Sequence, residues 1–300
     1  MGEKELKFIQ DNNIKIDNYN VQLEFSNYTT EEALKMILPS ELDTPTSFET
    51  IGHIAHLNLR ENHEPYKHKI AQIILEKNPH IKTVVNKVGK IETQFRTFKM
   101  EVLAGIPNLE TQVRESNCTF HFNFEDVYWN SRLQKEHERV FESFKVNEIV
   151  CDVFAGVGPF SIPSAKKGCK VYANDLNPKS YHYLKTNVIK NKISNNNIEC
   201  FNLDGRVFIK ELIMGTITKN KEPVYPSHFV MNLPATAIEF LDVFKGLYSH
   251  LDNDGNSNNN NNIILPTVHC YGFSSAENPK EDIVKVKFLL HLHEIIFIRE

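Results

Sequence analysis

What this 300-residue chain has little of already narrows its class. No apolar run approaches the ~20 residues that cross a bilayer, and the opening MGEKELKFIQDNN has no apolar core of the secretory kind. Neither membrane spanning nor secretion is expected. Cysteine is scarce: Cys118, Cys151, Cys169, Cys200 and Cys270 are odd in number, widely spaced and without a C-x-x-C pair. That pattern fits reduced thiols and gives no zinc site, so no metal is expected. Charge of one sign is also missing, since 34 basic residues face 38 acidic ones for a formal net charge of −4. A uniformly basic nucleic-acid binder is excluded, and any anion must be met by charge arranged locally. There is one tryptophan, Trp129, and no internal repeat.

What is present becomes regular from about residue 149. Short apolar runs, turns or glycine loops, and amphipathic segments alternate, which reads as α/β with a mostly parallel sheet. Strands are expected at 149–154, 170–175, 198–204, 228–233 and 263–269, with a last one near 294–298. The clearest helix runs from Pro178 to Lys192, where proline suits a first turn and Tyr181, Leu184, Val188 and Ile189 recur at helical spacing. Another is expected over 237–251. Between them, 252–262 reads DNDGNSNNNNN, too polar to offset its chain entropy by burial, hence a flexible loop. Upstream, 1–46 is an acidic segment with one expected helix near 30–38. The stretch 47–125, with the strand-like TVVNKV, RTFKMEVLAG and FHFNF and a helix near 66–77, reads as a small α+β domain preceding the larger one at 126–300.

The sequence Cys151-Asp152-Val153-Phe154-Ala155-Gly156-Val157-Gly158-Pro159-Phe160 lies between an expected strand and helix. Glycines there let a ligand approach the backbone, and a helix N-terminus offers free N–H groups. Roughly 20 residues on, in NDLNP, Asp175 is placed to accept hydrogen bonds from ribose hydroxyls. A dinucleotide fingerprint would want a third glycine where Ser161 stands, and Pro159 removes an N–H, so NAD is disfavoured. S-adenosyl-L-methionine needs no phosphate cradle; a glycine turn, Asp175 for the ribose and Asp204 of FNLDG for the adenine would serve it. The plain alternative is a tight turn with Asp175 and Asp204 capping helices.

The fourth expected strand ends in Met231-Asn232-Leu233-Pro234. In an open α/β sheet, ligands bind at the carboxyl ends of strands near the topological switch, so Asn232 should approach the Gly156 loop. A carboxamide there can orient a planar nitrogen heterocycle. Ahead of the first strand runs Tyr128-Trp129-Asn130-Ser131-Arg132-Leu133-Gln134-Lys135-Glu136-His137, in which Arg132 and Glu136 are four apart on one expected helical face. A surface ion pair is the plain reading of that spacing, and a hydrogen-bonded helix residue the plain reading of His137.

Taken together, VRESNCTFHFNFEDVYWNSRLQKEHERV, CDVFAGVGPFSIP, ANDLNP, FNLDG and VMNLPATAIEFLDVFK resemble the tRNA (guanine-37-N1)-methyltransferases of the eukaryotic and archaeal type, the class I enzymes. SFETIGHIAHLNLRENHEPYKH and RTFKMEVLAG extend the likeness upstream, so it covers 47–298. The resemblance implies a Rossmann-like doubly wound sheet, S-adenosyl-L-methionine as cofactor, and tRNA with G at position 37 as partner; nothing in the sequence indicates an oligomer, and a monomer is expected. It implies Glu136 as the base for guanine N1, Arg96 as the cation for O6, and Asn232 and Pro234 as shapers of the guanine pocket beside Tyr128 and Arg132. Phe154, Gly156, Gly158, Asp175, Leu176, Asp204, Gly205 and Asn232 correspond to cofactor contacts. The family often carries a further N-terminal domain, of which 1–46 would be an incomplete copy, and a final antiparallel strand that is not expected here. Rival readings are the related aminocarboxypropyl transferase and a non-catalytic tRNA-binding protein. The expected location is cytoplasm and nucleus, with the mitochondrial matrix left open.

The near-neutral total conceals an uneven distribution. Residues 51–100 hold nine basic against four acidic side chains, and 151–200 seven against three. These are the stretches around Arg96 and the cofactor loop, where an anticodon stem-loop would lie, and they predict a salt-dependent RNA affinity.

Overall fold

The computed structural model describes residues 2–15, 22–89, 95, 97–233, 236–248, 265–272 and 295–296. Arg96, Pro234 and the asparagine-rich 252–262 lie outside the described residues.

Two short helices come first. α1 (Glu3–Asp11) buries none of its residues and has no counterpart in the sequence reading. α2 (Thr30–Ile37) begins with a capping box: the Thr29 hydroxyl accepts from Glu32 N–H, and Glu32 accepts from Thr29 N–H. Its Ala33 and Leu34 are buried in the core of the four-stranded sheet that follows. That core therefore reaches back past the boundary expected at residue 47. The sheet comprises β1 (Glu49–Ile51) and β2 (Ile54–Leu57), then α3 (Lys67–Lys77), β3 (Thr83–Val88) and β4 (Lys99–Gly105), in the order β1-β2-β3-β4. β2 and β3 run parallel because α3 carries the chain back across the sheet; the outer pairs are antiparallel. Ile70, Ala71, Ile73 and Ile74 supply the helix's buried face.

A hairpin follows, β5 (Glu110–Glu115) and β6 (Cys118–Asn123). Ser116 and Asn117 both take positive φ, which suits a two-residue turn whose twist matches the strands. Packing ties this hairpin to the large sheet: although it falls before the expected boundary at 125, its Phe120 and Phe122 join a core shared with that sheet.

The large sheet is parallel throughout, in the order β12-β11-β10-β7-β8-β9. After α4 (Gln134–Ser143), the chain lays down β7 (Ile149–Asp152), α5 (Ser161–Lys167), β8 (Lys170–Asn174), α6 (Pro178–Lys190), β9 (Ile198–Phe201) and α7 (Gly205–Ile213). It then crosses to the other side of β7 for β10 (His228–Met231), β11 (Thr267–Cys270) and β12 (Ile295–Ile296). This is the doubly wound sheet expected, with its switch between β7 and β10. One element differs: where a helix is expected from 237 there is a 3-10 helix at Ala237–Phe244, ended where Lys245 is extended and Gly246 takes φ +70°; 249–251 of that expected helix lie outside the described residues.

Two asparagines, Asn187 on α6 and Asn191 at its C-terminal end, join hairpin and sheet. Asn187 and Asn191 each accept a backbone N–H from β6, of His121 and Thr119, and donate to the carbonyls of the same residues. Asn187 also donates to the carbonyl of Val157 (3.2 Å). Amide side chains thus satisfy strand groups that a further strand would otherwise take.

Candidate active site

The switch point opens a cavity of about 360 Å³. One wall comes from the loop after β7. Val153 N–H donates to the Val230 carbonyl and Ala155 N–H to that of Asn174, holding the loop across both neighbouring strands. Gly156 and Gly158 both have positive φ, but their surroundings differ. A Cβ at Gly156 would meet nothing within 4 Å, whereas one at Gly158 would lie 2.8 Å from Ile162 Cδ1 and Leu184 Cδ1. Gly156 thus leaves the loop open toward the cavity, and Gly158 lets it pack on the helices behind.

Asp175, just past β8, accepts from Gly156 N–H (2.8 Å, Oδ2) and Asn177 N–H (2.9 Å, Oδ1). Burial pushes its carboxyl up to about 6, opposed by those two backbone bonds. Asp204 caps α7 through Oδ1, accepting from Arg206 and Val207 N–H. Capping and ligand contact are compatible here, because a carboxylate has two oxygens. Leu176, Gly205 and Phe154, the last edge-on to Phe240 at 4.9 Å, line an apolar slot beside Asp204. Gly205 is required for closeness: a Cβ there would come within 2.9 Å of the Phe154 ring.

The opposite wall is Tyr128, Trp129, Asn130, Leu133 and His137, with Asn232 and Leu233 from the end of β10. Trp129 stacks on Phe122 at 5.0 Å, which fixes this wall to the hairpin. Asn232 lines the cavity, and its Oδ1 is buried with no partner among the described residues. The neighbours Phe95 and Leu233 of the two undescribed site residues, Arg96 and Pro234, line the cavity as well.

The structure therefore brings together Tyr128, Phe154, Gly156, Asp175, Leu176, Asp204, Gly205 and Asn232. Three expected residues stand elsewhere. Gly158 lies behind the loop. Arg132 lines a second, polar hollow of about 520 Å³ with His56, Asn58, Lys87 and Phe98; this hollow shares the Tyr128–Asn130 wall. Lys87 sits over the Phe98 ring at 3.4 Å, and burial lowers the pKa of its ammonium. Glu136 is outside the cavity lining and does not pair with Arg132. Its carboxylate accepts two bonds from Arg139 (2.9 and 2.7 Å) and one from the Tyr271 hydroxyl (2.8 Å). The reason is local: Arg132 belongs to a 3-10 turn at Ser131–Leu133, so four-residue helical spacing does not apply across it.

Two features had no sequence signal strong enough to single them out. Asp152, closing β7, is fully buried; it accepts from the Ser161 hydroxyl at 2.5 Å, while its Oδ1 has no partner among the described residues. Burial, aided by nearby Asp175, pushes its carboxyl up to about 7. The only hint was an acid ending the apolar run IVCD. The second is the buried pair Glu115–His137. These residues lie 22 apart on different elements, so only the fold unites them. Among the described residues, no cluster of histidine, cysteine and carboxylate side chains could hold a metal.

Comparison with known proteins agrees with this architecture. Residues 30–108 match the TYW2 N-terminal domain and 111–249 the TRM5/TYW2 methyltransferase domain. The tRNA (guanine(37)-N(1))-methyltransferase of Phytophthora infestans is 46% identical over 283 residues, covering 94% of this chain and 64% of that protein. The protein of the same name from Homo sapiens is 46% identical over 285 residues, covering 93% and 54%. This chain thus spans less than two thirds of those relatives' length. Among solved structures, Trm5b from Pyrococcus abyssi superposes with a TM-score of 0.68 at 30% identity, covering 92% of this chain and 74% of that one. The structure described as the complex of aTrm5 and tRNALeu gives 0.64 at 26%, covering 81% and 69%.

Proposed function

The chain belongs to the TRM5/TYW2 methyltransferase family, and from that premise we propose that it methylates N1 of guanine 37 in the tRNA anticodon loop, using S-adenosyl-L-methionine. The observation that carries the reading is the meeting, in one cavity at the sheet's switch point, of Asp175 and Asp204 with Tyr128 and Asn232. The residues present fit the cofactor: Asp175 for the ribose hydroxyls, the Gly156 backbone for the amino-acid arm, and the Phe154–Phe240 slot beside Asp204 for the adenine. When bound, the cofactor supplies an electrophilic sulfonium methyl group.

The chain's own residues then have to select, orient and deprotonate the base. Guanine N1 lies on the pairing edge, so the nucleotide must leave the anticodon stack to enter the cavity. Tyr128 and Trp129 offer apolar wall for its face, and Asn232 a carboxamide for its edge. N1 carries a proton at neutral pH, and a positioned carboxylate typically contributes ~10²–10⁴-fold to such a transfer. The resemblance gives this role to Glu136, whose carboxylate would exchange its Arg139 bonds for the substrate's N1–H. Arg96 is the proposed cation for charge developing on O6. The protein is proposed to act as a monomer in the cytoplasm and nucleus, to be checked by sedimentation and by imaging the tagged chain.

The test is direct: incubate the protein with methyl-labelled cofactor and transcripts bearing G or A at position 37. Label in the G37 transcript alone is expected, and no label in it would overturn the reading. Because residues 30–108 match the TYW2 N-terminal domain, aminocarboxypropyl transfer is the second reading; the mass of the modified nucleoside separates the two.

A further inference from the structure

His137 and Glu115 form a pair that the proposed reaction leaves unused. His137 is in the first turn of α4 and Glu115 ends β5; both side chains are 3% exposed, and Nδ1 lies 2.6 Å from Oε1. A carboxylate so buried needs a proton from its partner. Nδ1 therefore donates, and in the neutral ring the lone pair is on Nε2. Phe160 packs edge-on to the imidazole at 4.7 Å and Trp129 at 6.5 Å, so the ring is fixed in place. His137 lines the cavity where the base would enter, and with Nδ1 held by Glu115 the nitrogen left to meet a ligand is Nε2, an acceptor in the neutral ring.

Guanine's pairing edge presents three N–H hydrogens, one on N1 and two on the exocyclic amine. A group on N1–H must move aside as the methyl arrives along the same in-plane direction. The amine keeps both hydrogens throughout, which suits an acceptor that cannot move. We propose that His137, held by Glu115, is a specificity-determining residue whose Nε2 accepts a hydrogen bond from the exocyclic amine of the target guanine. The proposal rests on the functional reading above. Inosine, which lacks that amine, would leave Nε2 unpartnered.

The experiment compares single-turnover methylation of transcripts carrying guanosine or inosine at position 37. The wild-type protein should methylate the guanosine transcript about tenfold faster or more. His137→Phe should remove most of that preference by slowing the guanosine transcript, with the inosine rate changed by about twofold or less. Because His137→Phe strands a buried carboxylate, Glu115→Leu/His137→Phe, which removes both polar partners, is measured alongside and should lose the preference equally. Affinity for S-adenosylhomocysteine, by calorimetry, checks that each variant is folded. Parallel losses on both transcripts, or an undiminished preference in the double variant, would overturn the role of His137, as would a wild-type protein with no preference. A wild-type protein that methylates neither transcript would instead overturn the functional reading, and this proposal with it.

Discussion

Along one wall of the cavity the chain supplies three consecutive strand-to-helix turns, after β7, β8 and β9, each contributing short side chains or bare backbone: Gly156, Asp175, Asp204 and Gly205. Along the other, Tyr128, His137, Asn232 and, behind them, Glu115 come from separate segments spread over more than a hundred residues. The first wall is fixed by sheet register, since neighbouring parallel strands must end together. The second is fixed by side chains packing across a domain junction. Damage to the first should therefore appear in folding and cofactor affinity, and damage to the second in the rate of transfer.

The largest expected effect is on the first wall. Gly158→Ala would force a side chain into left-handed backbone and against Ile162 and Leu184, costing about 2–4 kcal/mol in a denaturant titration. Gly156→Ala, with open space around it, should cost only about 1–2 kcal/mol. Equal losses would mean that the packing behind the loop is not what distinguishes the two glycines. On the second wall, Asn232→Ala should slow single-turnover transfer at least about tenfold while changing cofactor affinity less, in a paired measurement of rate and calorimetric binding. A larger loss of binding than of rate would move Asn232 to the cofactor side.

Ionisation sharpens the contrast. Asp175 must be charged to accept strongly from ribose hydroxyls, and its carboxyl in the unliganded protein lies at about 6. Affinity for S-adenosylhomocysteine should be full above that value and about tenfold weaker at pH 5; an affinity flat from pH 8 to 5 would remove Asp175 from ribose binding. A last effect, opposite in sign to the glycine substitutions, concerns Asp152. Its carboxyl is raised in the fold, to about 7, above an unfolded value near 3.8. Its cost to stability is therefore absent at about pH 4, grows as pH rises, and is complete above about 7. Asp152→Asn exchanges that cost, about 4 kcal/mol, for an orphan amide worth about 1–3 kcal/mol, and should leave the unliganded protein about 1–3 kcal/mol more stable at pH 8. Urea midpoints at pH 4 and 8 decide it, since the gain should vanish at the lower pH.

The contrast also explains what could be read from sequence. A glycine loop, an acid about twenty residues later and an asparagine at a strand exit are local patterns, and the sheet brought all of them to the cavity. The sequence reading correctly anticipated β7 to β11 in type and order, although each observed strand is shorter than its apolar run. On the second wall, spacing misled: Arg132 and Glu136 share an ideal helical face, but the helix begins only at Gln134, and Arg139 takes the carboxylate instead. His137 looked like a plain helix residue because its partner, Glu115, ends a strand of a hairpin whose assignment to either domain no periodicity reveals. The surface helix α1, with no buried face, escaped for the opposite reason, since helical patterning in sequence is mainly a record of burial.

Asn187 ties these two constructions to one another. One amide group caps the backbone of β6 and holds the carbonyl of Val157 in the glycine loop. A gene fragment beginning at residue 126 would thus carry every described strand of the large sheet and still leave Asn187 on α6 and Asn191 at its C-terminal end facing water where β6 should be. A folded large sheet therefore needs the chain from before Glu110, in the 106–109 connection, whereas a portion meant to carry the proposed reaction must also reach back past Arg96 and the cavity-lining Phe95.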